Sequence, residues 1–66
     1  MVEFTTNKVR GLMAENRLTL VDVATELNIS ISALQRRLNN EIDFKVDEIK
    51  QLARLFNVDF TISKEA

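Results

Sequence analysis

The stretch that decides the reading runs from Thr19 to Asn40, TLVDVATELNISISALQRRLNN. It opens on Thr19, whose hydroxyl can accept from a free backbone N–H at a helix start. Asp22, three residues on, can return the bond. Leu20, Val23, Ala24 and Leu27 then recur at i, i+3, i+4 and i+7, one apolar face of a helix. Asn28 tolerates the left-handed backbone that ends a helix better than other residues with a side chain. After one more residue, Ser30 can cap a further helix running to about residue 39, and Asn39-Asn40 forms its stop. The predicted unit is two short helices joined by the turn Asn28-Ile29-Ser30. Ala24 is small where the two helices must cross closely, and Ile29, Leu34 and Leu38 can lock them together.

Outward from this unit the chain remains helical. Residues 7–17 read as a first helix, with Asn7 as its expected cap and Val9, Leu12 and Met13 as its apolar stripe. Gly11 inside it is expected to mark the close approach of a neighbouring helix, the alternative being a plain weakening of the helix. Residues 46–56 read as a fourth helix, with Val46, Ile49, Leu52, Ala53 and Phe56 on one face. Asp47 and Glu48 stand in its first turn and Lys50 and Arg54 come later, the charge order a helix dipole favours. Lys45 is a poor residue for the cap. The tail Val58-Asp59-Phe60-Thr61-Ile62 alternates apolar and polar, as a short strand or arm would. Val2 and Phe4 alternate too, so the two ends are expected to pair as a small ribbon.

Composition narrows the function classes. The chain has 66 residues, with one Gly and no Pro, which favours helices with short connections. It has no Cys and no His, so disulfides, Cys/His zinc sites, thiol nucleophiles and His bases are all excluded. No metal and no cofactor are expected, and no nucleophile arrangement or Gly-rich phosphate loop appears, so no enzyme is expected. Ten acids against nine bases give a net charge of −1, unlike a grossly basic coat protein, but a local basic patch is still open to it. No apolar run nears the ~18–20 residues of a membrane span, and residues 1–7 hold no apolar signal core. The expectation is a cytoplasmic protein with no membrane partner, built as one domain over 1–66 with a C-terminal arm at 58–66.

The order of these features resembles the helix-turn-helix of the phage Cro/repressor family. The matching positions are Thr19, Val23-Ala24, the turn Asn28-Ile29-Ser30, and the stop Asn39-Asn40. Asp43-Phe44 and the run from Asp47 to Val58 match as well, so the likeness covers about residues 7–58. Three positions depart from the pattern. Leu20 stands where the family commonly has a Gln that touches the DNA backbone, and Asn28 and Asn40 stand where it has Gly. Both Asn residues keep access to positive φ. The resemblance implies an all-α fold: a compact four- to five-helix bundle with its helix-turn-helix at 19–40 and a short C-terminal strand or arm. It also implies a sequence-specific DNA-binding transcriptional regulator, of phage or prophage repressor type, acting as a homodimer on double-stranded operator DNA.

Side-chain chemistry gives a separate case for DNA. A helix in the major groove reads base edges from its N-terminal half, while flanking residues hold phosphates. Ile31, Ser32, Gln35 and Arg36 are the expected base contacts: Arg36 suits guanine, Gln35 adenine and Ile31 a thymine methyl. Ser30, Arg37 and Asn39 are the expected phosphate contacts. Residues 28–40 carry Arg36 and Arg37 and no acid. Lys8, Arg10 and Arg17 add to this face if their helix turns them toward it.

Blander readings stand beside these. Ile31, Leu34 and Leu38 fall at i, i+3 and i+7, so Ile31 also reads as core. Ser30, Asn39 and Asn40 read as caps, and Phe4, Phe44, Phe56 and Phe60 as core rather than base-stacking platforms. The competing function is a protein-binding modulator, an antirepressor or co-repressor docking on another repressor. Leu20, Val21, Ile31 and the net negative charge favour it. A continuous apolar patch around Ile31 would point to a protein partner, and an isolated Ile beside Arg to DNA.

Overall fold

A computed structural model describes residues 2–61. Its elements run β1 (Val2–Glu3), α1 (Thr6–Glu15), α2 (Leu20–Leu27), α3 (Ile31–Leu38), α4 (Val46–Phe56) and β2 (Phe60–Thr61). The fold is the expected four-helix domain with a helix-turn-helix, closed by one very small strand pair.

Each helix start has a local cause. Thr19 and Asp22 form the reciprocal cap of α2: the Thr19 hydroxyl accepts from Asp22 N–H at 3.2 Å, and the Asp22 carboxylate accepts from Thr19 N–H at 2.8 Å. That bonding holds the Asp22 carboxyl below its ordinary pKa. Ser30 caps α3 by accepting from Ala33 N–H at 3.0 Å. The α1 cap differs from the expected Asn7. Thr5 takes it, extended at φ −140° and ψ 157°, and its hydroxyl accepts from Lys8 N–H. Asn7 lies one residue inside the helix, where its side chain has no such role.

The helix ends share one device. Leu18, Ile29, Glu41 and Val58 donate their N–H back to the carbonyls of Met13, Ala24, Arg36 and Ala53, at 2.9–3.0 Å. The preceding residues, Arg17, Asn28, Asn40 and Asn57, all sit at positive φ, between 56° and 64°. This is the left-handed turn that closes a helix by reaching back over its last carbonyls. Glycine usually supplies it. Here three asparagines and one arginine do so, and Gly11 is spent elsewhere.

The helices enclose one core. Val9, Leu12 and Met13 of α1 meet Val23, Ala24 and Leu27 of α2, Leu34 and Leu38 of α3, and Leu52 and Phe56 of α4. Val9, Val23, Leu34 and Leu52 are fully buried, each contributing roughly 1.5–3 kcal/mol by leaving water. Gly11 is a correction. A Cβ built there meets nothing within 4 Å, so no helix approaches it and the weakening alternative holds.

The two ends do pair, and they pair in parallel, Val2 opposite Phe60 and Glu3 opposite Thr61. The whole helical bundle serves as the crossover that a parallel pair requires. Phe4 makes edge-on contacts with Phe60 (5.1 Å) and Phe44 (5.5 Å), tying the ribbon to the α3–α4 loop. Ile62, also assigned to the strand on sequence, lies outside the described residues.

Candidate nucleic-acid interface

The helix-turn-helix places one polar strip outward. At 3.6 residues per turn, Ile31, Gln35, Asn39, Ser32 and Arg36 span roughly 140° of α3 and its cap. All five are exposed. Leu34 and Leu38 face the core, with Ile31 at the margin between the core face and the strip. This strip holds all four expected base-reading residues. Ile31 is 43% exposed, so the core reading of it does not hold. It is also the one apolar side chain of the strip, between Ser30 and Ser32 and one turn from Gln35. Ser30 remains a cap, and its exposed position at the α3 N-terminus leaves it free to meet a phosphate as well.

Arg37 is a second correction. It turns inward, is buried, and donates from Nε to Glu48 Oε1 at 2.9 Å. Its Nη1 donates to the carbonyl of Ala33 at 3.2 Å. The same Glu48 Oε1 accepts from Lys45 N–H at 2.9 Å, which caps α4 where the lysine side chain cannot. The expected phosphate contact is therefore a bolt between α3 and α4. The wheel separates Arg37 from Arg36 by about 100°, but it sets Ile31 as near to Leu34 as Arg37 is, so it does not by itself say which of them is buried. Adjacency to Arg36 in sequence masked that separation.

With Arg37 neutralised by Glu48, Arg36 is the strip's own cation. A second cation arrives from outside the helix-turn-helix. Arg10 of α1 donates from Nη2 to Asn39 Oδ1 at 2.8 Å, across 29 residues of sequence, and both side chains are exposed. Sequence alone had left its orientation open. Lys8 and Arg17 are exposed, but no bond ties either to the strip.

Leu20, at the first position of α2, is half-buried and packs on the core. Its neighbour Val21 is 56% exposed. No described groups of three or more acids gather as a metal site, and no helix of the described residues is long and apolar enough to cross a membrane.

A helix-turn-helix family model matches residues 9–62, most of the chain. The chain belongs to the helix-turn-helix family. Members of this Cro/C1-type family are DNA-binding transcription regulators. The matched span takes in α1 from Val9 onward and all of α2, α3 and α4, so the core, the outward strip and the Arg37–Glu48 bolt all lie within it. The comparisons with curated proteins and with solved structures gave no match.

Proposed function

We propose that this helix-turn-helix protein is a sequence-specific transcriptional regulator of Cro/repressor type, which lays α3 in the major groove of an operator. Arg36, Gln35, Ser32 and Ile31 read bases, while Ser30 and Asn39 hold the flanking backbone. The observation that carries this reading is that Ile31, Ser32, Gln35, Arg36 and Asn39 are exposed together, so that Ile31 is the one apolar group that α3 itself adds to the strip. A lone apolar group beside hydrogen-bonding side chains suits a thymine methyl among base edges. A protein partner would want a wider apolar face.

The small charge supports a dimer. Few cations face outward on the strip, and the whole chain carries −1. Few phosphates are neutralised per module, so the sequence-independent part of binding is weak. Two modules about one helical turn (~34 Å) apart on DNA would supply the missing affinity. Each ribbon strand keeps one outer edge to offer a second copy.

Selection of bound duplexes from a random pool at physiological salt tests the reading. Enrichment of an inverted repeat supports both DNA recognition and the dimer. A single short site supports recognition by one module. No enrichment overturns the proposal and favours the modulator that docks on another repressor.

A further inference from the structure

The bond between Arg10 and Asn39 joins two elements that the helix-turn-helix unit does not itself connect. Asn39 caps α3 at the end of the exposed strip. Arg10 sits on α1, outside the 19–40 unit. Its guanidinium carries five N–H donors, and one is directed at Asn39 Oδ1. Among the described residues Arg10 has no carboxylate partner, in contrast to Arg37. It is thus a full positive charge, exposed, with its fork tethered at one corner to a neutral amide.

The tether also orients the amide. Arg10 takes one lone pair of Oδ1 and so turns that oxygen toward α1, while the Nδ2 hydrogens of Asn39 have no bond among the described residues and are left to offer a ligand. Two groups that both donate are thereby fixed side by side at the C-terminal end of the strip. A protein surface that places guanidinium and amide N–H groups together, with no acid bonded to them, suits a phosphate oxygen. The position fits too, because residues flanking a helix's base-reading half are the ones that meet the DNA backbone.

We propose that Arg10 and Asn39 form a composite phosphate clamp, in which Arg10 takes the place in backbone binding that its sequence had suggested for Arg37. The clamp rests on the DNA reading above. It adds that α1 contributes directly to the interface, and that register on the duplex is set by a contact between helices rather than by α3 alone. The competing account is purely structural: a cation near a helix C-terminus is favourable through the helix dipole, whether or not DNA is present.

The salt dependence of binding separates the two. The full chain, Arg10→Met, Asn39→Ala and the double variant are titrated with the selected duplex and with random duplex from 50 to 200 mM salt. Thermal melting of each variant is followed in parallel. The clamp predicts that Arg10→Met lowers the slope of log K against log salt by about 1 per module. Affinity then falls roughly threefold less over that salt range, per module. The loss is equal on both duplexes, since phosphate carries no sequence. The double variant should lose less than the sum of the singles, because each group holds the other. An unchanged slope in Arg10→Met, with the full chain binding normally, overturns the clamp and leaves the dipole contact. A full chain that binds neither duplex overturns the DNA reading itself, and the clamp with it.

Discussion

Removing the Glu48 carboxylate should reveal how much of the domain hangs on one buried ion pair. Glu48 has three tasks: it neutralises Arg37, accepts from Arg37 Nε, and caps α4 through Lys45 N–H. Glu48→Ala removes all three and leaves a guanidinium whose side chain is only 10% exposed. Breaking a buried pair from one side costs about 3–5 kcal/mol. The residual exposure lets some water reach Arg37, and Ala33 O still accepts from it, so the lower end, about 3 kcal/mol, is expected. A 66-residue domain has only roughly 3–10 kcal/mol in all. At ~4–8 °C per kcal/mol, Tm should fall by roughly 12–24 °C. Glu48→Gln keeps an amide oxygen for both donors but leaves the Arg37 charge uncompensated, so it should fall between wild type and Glu48→Ala, at a cost of about 2 kcal/mol. The double variant Arg37→Met with Glu48→Leu removes the charge problem altogether and should stand well above Glu48→Ala, short of wild type by about the ~1 kcal/mol of the lost cap. Thermal and urea unfolding followed by circular dichroism give all three. The reasoning fails if Glu48→Ala costs under about 0.5 kcal/mol, or if the double variant is no more stable than it. The same double variant should keep the full salt slope of DNA binding. A slope lowered by about 1 would return Arg37 to the phosphates.

Other changes probe single features. Arg36→Ala should cost about 1–3 kcal/mol on the selected site and little on random duplex, measured by competition binding; equal losses would make it a phosphate contact. Gly11→Ala should raise stability by about 0.5–1 kcal/mol, since the added methyl meets nothing and the helix gains a better former. A loss in urea unfolding would mean a contact there after all. Arg17→Gly should also stabilise, by up to about 1 kcal/mol, because Arg17 holds φ 56° where Gly bears no steric penalty. Asp22→Asn should flatten the acid limb of the stability curve. The Asp22 pKa is lowered on folding, so its contribution is present above the unfolded value near 3.9 and is lost as pH falls through the folded one. An unchanged acid limb in melting from pH 5 to 2 would show that the cap contributes nothing there.

Local rules set most of the fold in advance. Thr19, Asp22 and Ser30 announce their helix starts because each satisfies backbone donors within three residues. Asn28 and Asn39-Asn40 announce stops for the same local reason, and the apolar spacing at Leu12, Val23, Leu27, Leu34, Leu38, Leu52 and Phe56 marks the core that those helices enclose. The outward strip of Ser32, Gln35 and Arg36 follows from that spacing as its complement, whereas Ile31 shares the spacing of Leu34 and Leu38 and only the packing leaves it exposed. What stayed hidden involves partners distant along the chain or a choice between near neighbours. Thr5 rather than Asn7 caps α1 because β1 and the edge-on contacts of Phe4 help fix where the chain turns into the helix. The parallel sense of the ribbon depends on where four helices bring the two ends. Arg36 and Arg37 are the same residue in adjacent positions, and only the approach of α4, carrying Glu48, makes one a buried bolt and leaves the other free. Arg10 reaches the strip only because α1 packs against α3. Spacing alone fixes which side of a helix is apolar; which charges face one another across the bundle is decided by packing, since a charge takes whatever partner the neighbouring helix brings within a few ångströms.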